Sequence, residues 1–373
     1  VLTRPLAVFL ALLPVLAGAQ NDRAPFNDVE VHQLDAARSL MAAGEYEAAE
    51  AALAVMSHTS LSSAVARSEQ QKLLGQVSLQ LKDYDGAIAA FTNVIDFPRA
   101  DRTTALTHRC YAYLQLNLLL DAQRDCSEAK YILRHAYKAG AAGAPSEAML
   151  DYRQLSFDMV EAQLLARAGR SKQALELVEA AIQRVRLRDA EGRLSIRDYW
   201  GLFLYSAEIL GDRGKYRDAL ARLDEISMVL PDAERHRLLS VRASVLRRSG
   251  DIDGAVEAWS EAYSAALAHG LSPEAALDYM FFSCTSLLQE HKDEQALAPC
   301  GIIANNAPGN ALYAEANAVA MARARGLLSA AVEIERAAKL RQNSSMAVVV
   351  VQELVKQLPD IGETLRYLKL ITP

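Results

Sequence analysis

The stretch DRGKYRDALARL, residues 212–223, decides the fold. A glycine closes one helical run, a short polar turn follows, and a second run opens with small and bulky apolar residues at helical spacing. Seven further stretches repeat this design: AAGEYEAAEAAL (42–53), LKDYDGAIAAF (81–91), LNLLLDAQRDC (116–126), RAGRSKQALELV (167–178), RSGDIDGAVEAW (248–259), EHKDEQALAPC (290–300) and RGLLSAAVEIE (325–335). Aligned, they place alanine in one slot eight times: Ala49, Ala87, Ala122, Ala174, Ala219, Ala255, Ala296 and Ala331. Twelve residues earlier stand Ala37, Gly75, Cys110, Ala162, Ala207, Ala243, Cys284 and Val319, nearly all small. Seven residues after the alanine come Met56, Val94, Ala129, Ala181, Ile226, Ala262, Ile303 and Ala338.

Antiparallel helices approach closely only where facing side chains are small, so the two small slots mark a helix crossing. Leu53, Phe91, Val178, Leu223 and Trp259, four residues after the alanine, fill the space beside it. Gly44, Gly169, Gly214, Gly250 and Gly326 sit where a left-handed residue ends the first helix. Pro98, Pro231 and Pro308 stop second helices. This is the helix–turn–helix pattern of tetratricopeptide (TPR) repeats. LLGQ at 73–76 and NNAPGNAL at 305–312 resemble that family's Leu-Gly pair and inter-repeat turn. The expected fold is all-α: a TPR superhelical solenoid of about eight repeats with C-terminal capping helices, the caps read from MAVVVVQELVKQL (346–358) and a short segment from Ile361. Longer intervals at 136–150 and 186–200 predict extended helices and inserted turns. Three subdomains follow, residues 28–140, 141–270 and 271–373.

Composition agrees. Apolar residues make up 51%, charged residues 23% and aromatics 6%, with a net charge of -6. A packed core is affordable, an aromatic-rich sheet is not expected, and no basic block offers a nucleic-acid backbone a partner. Arg4, the apolar residues 6–16 and Ala17-Gly18-Ala19 read as a secretory signal over residues 1–19, so the mature chain is expected to begin near Gln20 without a membrane span. The triplet Asn343-Ser344-Ser345 is a glycosylation sequon.

Cys110 and Cys126, and again Cys284 and Cys300, occupy the same two slots, sixteen residues apart. Neighbouring antiparallel helices bring such slots within disulfide reach, and a secretory leader supplies the oxidising compartment. The competing reading is four buried thiols filling core slots. Zinc ligation lacks a C-x-x-C or a matching histidine pair, so no metal and no cofactor are expected. His32, His58, His108, His135, His236, His269 and His291 are scattered, and no catalytic or phosphate-binding motif is present. The chain reads as a binding protein without catalytic residues.

First helices line the groove of a TPR array. In repeats one to three the groove slots hold Leu34, Met41, Leu79, Tyr111 and Leu114, an apolar stripe suited to unfolded segments, beside Arg38, Lys72, Gln76 and Gln115. Leu34, Arg38, Leu73, Thr104 and His108 stand where some TPR proteins clamp a chaperone's terminal carboxylate, so that clamp is missing. The leader followed by DVEVHQLDAARSLMAAGEYEAA (28–49), the third repeat, and the Cys284–Cys300 pair before NNAPGNAL resemble the endoplasmic-reticulum TPR co-chaperones of the DnaJ subfamily C member three type. The resemblance implies holding of misfolded or unfolded polypeptides in the lumen, and a complex with lumenal Hsp70. No His-Pro-Asp tripeptide occurs in the sequence, so stimulation of an Hsp70 ATPase does not carry over. The alternative is a secretory-pathway scaffold that assembles folded partners, periplasmic in a bacterium.

Overall fold

A computed structural model describes residues 28–58, 64–97, 101–136 and 147–340. The leader, the capping segments and the sequon lie outside them. The chain divides into two compact units after Ile209. Unit 1 holds α1 (Asp28–Ala43), α2 (Tyr46–His58), α3 (Ala64–Gln80), α4 (Tyr84–Asp96), α5 (Arg102–Gln115), α6 (Leu119–Ala136), α7 (Glu147–Arg167) and α8 (Ser171–Ala190). The division falls within α9 (Trp200–Asp212). Unit 2 continues with α10 (Tyr216–Ser227), α11 (Arg235–Ser249), α12 (Ile252–Ala268), α13 (Pro273–Gln289), α14 (Asp293–Asn306), α15 (Ala311–Arg325) and α16 (Leu327–Leu340). No strand occurs among the described residues. The three-part division at residues 140 and 270 counts repeats along the chain and stands as a proposal beside this two-unit division.

Helices pair as antiparallel hairpins, α1 with α2, α3 with α4, α5 with α6, α7 with α8, α11 with α12, α13 with α14 and α15 with α16, and second helices pack on the next first helix, as α2 does on α3 and α12 on α13. The crossing slots are the core. Ala49, Ala87, Ala122, Ala174, Ala219, Ala255 and Ala296 are completely buried, as are Ala37, Cys110, Ala162, Ala207, Ala243 and Cys284. At Gly75 the helices approach closely: a β-carbon there would stand 2.7 Å from the buried Phe91 ring. Any side chain would displace the ring that fills this crossing.

Repeat eight corrects the expected register by one residue. Ala318, Ala330 and Ala337 are the buried residues, and Val319 and Ala331 are only partly covered. The turn explains the slip. In other repeats the C-terminal glycine is left-handed and two bonds close the turn, as where the Gly250 N–H donates to the Arg247 carbonyl and that of Asp251 to Leu246. Gly326 combines φ 85° with ψ 161° and α16 starts at once, so the buried set, which keeps its spacing of twelve and seven, stands one residue earlier relative to the glycine.

The interval at 186–200 behaves as expected. α8 runs to Ala190, and a turn and a 3-10 helix (Ile196–Tyr199) precede α9. Disulfides Cys110–Cys126 and Cys284–Cys300 tie α5 to α6 and α13 to α14, with α-carbons 5.7 and 5.1 Å apart. No described cysteine is free.

Candidate functional site

First helices in unit 1 lie side by side: α1 touches α3, α3 touches α5 and α5 touches α7. They form one continuous face, and the candidate groove residues belong to it. The apolar stripe expected there is not a surface. Leu34 is 2% exposed, Met41 8%, Leu79 2%, Tyr111 1% and Leu114 0%. Leu34 and Met41 sit in one core cluster with Ala37, Leu53, Met56, Leu73 and Val77. In that cluster the hairpin partner α2, through Ala49, Leu53 and Met56, and the next first helix α3, through Ala66, Leu73 and Val77, together cover Leu34 and Met41. Accessible groove recognition through these five residues is therefore corrected to a structural role.

What the face does present is polar. Arg38 of α1 reaches across to Glu69 of α3 at 2.8 Å, and Lys72 meets the same carboxylate at 2.8 Å. Burial opposes ionisation of Glu69, but Lys72 and Arg38 outweigh it and hold its carboxyl below the usual range. Gln76 follows one turn after Lys72 and stays partly exposed. Farther along, Asp101 caps α5 through the Thr104 N–H at 3.2 Å and pairs with Arg153 of α7 at 2.7 Å. Arg167 of α7 donates to the Leu114 carbonyl at the end of α5. Arg323 of α15 does the same for Leu288 of α13 at 3.0 Å. Both arginines stand five residues after their repeat's small slot, and both satisfy a terminal carbonyl of the preceding first helix. That recurring position carried the signal, and the sequence reading did not use it.

His108 lies behind this face, its ring tilted against Phe91 with centroids 5.2 Å apart and with no partner for Nδ1. Burial pushes its pKa down to about 4; Asp101 pulls it up and Lys72 down. In unit 2, burial, Arg237 and His269 bring His236 to about 4 as well. A depressed histidine contributes stability that is present above its unfolded value near 6.5 and is lost as pH falls towards 4. For His108 the loss approaches about 3 kcal/mol. Urea unfolding at pH 7.5 and 4.5 should show His108→Gln losing about 2–3 kcal/mol less than the parent on acidification. An equal loss in both proteins would refute the assignment.

A hollow of about 430 Å³ between α7 and α8 is lined by Asp151, Gln154, Arg184, Leu187, Arg188 and Glu191. Its charges are matched internally: Arg184 with Asp158 at 2.7 Å, and Arg188 with Asp151 at 2.9 Å and Glu191 at 3.0 Å. Burial raises the Asp158 pKa against the pull of Arg184. The hollow thus offers a ligand no free charge. No group of metal-ligating side chains occurs among the described residues, and no described helix is long and apolar enough to cross a membrane.

The architecture is that of a TPR-type helical solenoid. No protein-family model and no curated protein sequence matches the chain. Among solved structures, it is similar to the Rap protein complexed with Competence and Sporulation Factor, with a TM-score of 0.56 and 11% identity over 91% of this chain and 94% of that one. NprR in complex with its cognate peptide NprX gives 0.53 and 14%, covering 88% and 91%. The APC/C hetero-tetramer Cut9–Hcn1 gives 0.53 and 12% over 87% of this chain, which spans only 55% of the length of that one. At these identities the likeness shows the fold alone.

Proposed function

We propose that this chain is a non-enzymatic polypeptide-binding module that reads a short extended segment along the first helices of unit 1. The observation that carries the reading is the continuous α1–α3–α5–α7 face, whose accessible groups are Arg38, Glu69, Lys72 and Gln76 above a closed apolar core. An extended backbone needs hydrogen-bond donors and acceptors on such a face, and these side chains supply both. Rap and NprR, of similar fold, were each solved with a bound partner, which supports the class. The two disulfides and the leader-like residues 1–19 support an oxidising compartment, the endoplasmic-reticulum lumen or a bacterial periplasm. Holding of unfolded clients beside a lumenal Hsp70 is the finer reading. It now rests on the sequence resemblance, because its apolar stripe is core.

The test is peptide selection from a random display library, followed by titration against Lys72→Glu. Lys72 is half-buried and paired with Glu69, so the variant's melting is first compared with the parent's; where folding is matched, it should bind the selected peptides about tenfold more weakly, about 1.4 kcal/mol. Equal binding by the variant would remove the face from the account.

A further inference from the structure

One edge of unit 2 concentrates positive charge in a chain whose net charge is -6. Arg213 and Lys215 flank the glycine of the turn before α10, and Arg217 lies in that helix's first turn; all three are exposed. Arg247 and Arg248 end α11. The Arg248–Asp212 ion pair at 2.6 Å, with Gly211 against the Arg248 guanidinium, fastens the two helix ends together. The two basic groups therefore share one edge. Among the described residues Arg213, Lys215, Arg217 and Arg247 have no ion-pair partner. Asp212, engaged by Arg248, Asp251, which caps α12 through the Gly254 N–H, and Asp218 offset part of this charge, and the five basic groups still outnumber the three acids. Burial and then Arg248 lower the Arg247 pKa, as an uncompensated guanidinium beside another should show.

Helix stability accounts for only part of this charge. Cations at the ends of α9 and α11 suit the negative end of a helix dipole. Lys215 and Arg217 do the reverse, standing at the positive end of α10. Lys215 holds the N-cap position without any side-chain cap bond, as Arg170 and Lys292 do at α8 and α14, whereas Asp83 and Asp251 cap α4 and α12. A basic N-cap is thus shared by three repeats, and this edge is set apart by Arg213 and Arg217 on either side of it and Arg247 next to it.

We propose that the edge formed by Arg213, Lys215, Arg217, Arg247 and Arg248 docks an acidic segment of a partner polypeptide. The inference rests on the reading that the chain binds polypeptides, and it assigns the chemistry of one partner. Charge complementarity selects the occupant: an Asp/Glu-rich segment is repelled by most of this acidic chain and is steered to its basic edge. Exposed charges make the contact sensitive to salt.

Fluorescence anisotropy of the intact protein with a short labelled Glu/Ser peptide tests this, with a Lys/Ser peptide and phosphatidylserine-containing vesicles as separate arms. The Glu/Ser peptide should bind and weaken at least tenfold between about 50 and 300 mM salt. A Lys215→Asp, Arg217→Glu variant should lose at least tenfold in affinity yet melt no lower than the parent, since both changes suit the start of α10. Arg247→Gln, which leaves α10 untouched, should also weaken binding. Equal Glu/Ser binding by parent and double variant would overturn the proposal, as would binding of the vesicles alone. If library peptides bind the unit 1 face and the Glu/Ser peptide binds nowhere, this inference fails by itself. If no peptide of any kind binds, the reading beneath it fails too.

Discussion

Cys110→Ala with Cys126→Ala is expected to lower the stability of unit 1 by about 3 kcal/mol, and Cys284→Ala with Cys300→Ala to do the same for unit 2. Each bridge closes a loop of sixteen residues, and the expected size follows from the chain entropy this removes from the unfolded state. Alanine is the informative replacement. Ala37, Ala162, Ala207 and Ala243 already fill the slot of Cys110 and Cys284 in other repeats, so the crossing stays packed. The second cysteine of each pair occupies a slot held elsewhere by bulkier residues, and alanine there adds a small cavity cost. Against a total of about 5–15 kcal/mol for a domain, losing its one bridge is a large fraction. Urea unfolding of the oxidised parent and of the variants measures the effect. Midpoints within error of the parent would mean that the bridges contribute nothing.

Trp259→Ala should cost about 3–5 kcal/mol in unit 2. The indole is 1% exposed, occupies the bulky slot beside Ala255, and lies 5.9 Å from the Phe282 ring between centroids. Leu53 and Leu223 fill that slot in other repeats. Trp259→Leu should therefore recover much of the loss, and it also removes an indole N–H that has no partner. A loss under about 1 kcal/mol for the alanine variant would show that the hairpin collapses around the gap.

The repeat was legible because its slots obey a local rule: a residue that touches its own hairpin partner must be small or must fill a fixed space. That rule gave the buried alanines and both disulfides. It failed where geometry depends on something the slot does not encode. Lys82, Asn117 and His291 take positive φ of 62, 60 and 56°, serving turns in which other repeats use glycine, so the missing glycines broke nothing. Gly326, although present, adopts a different ψ and shifts the last repeat by one. The groove residues were misjudged for a related reason. Slot position tells which way Leu79 or Leu114 points from its own helix. It does not tell that the hairpin partner and the next first helix close over such a position together, as they do over Leu34 and Met41. Arg38, Lys72 and Glu69, long enough to reach past that contact, remain at the surface.

The claim that polypeptide is bound on the first-helix face of unit 1 is tested most directly by site-specific photocrosslinking. A photoreactive residue at Gln76, on α3, is compared with one at Tyr131, an exposed aromatic on the second helix α6. Labelled peptides selected by the protein should crosslink from position 76 and not from position 131. Capture at 131 alone, or at neither position while binding is intact, would contradict the account.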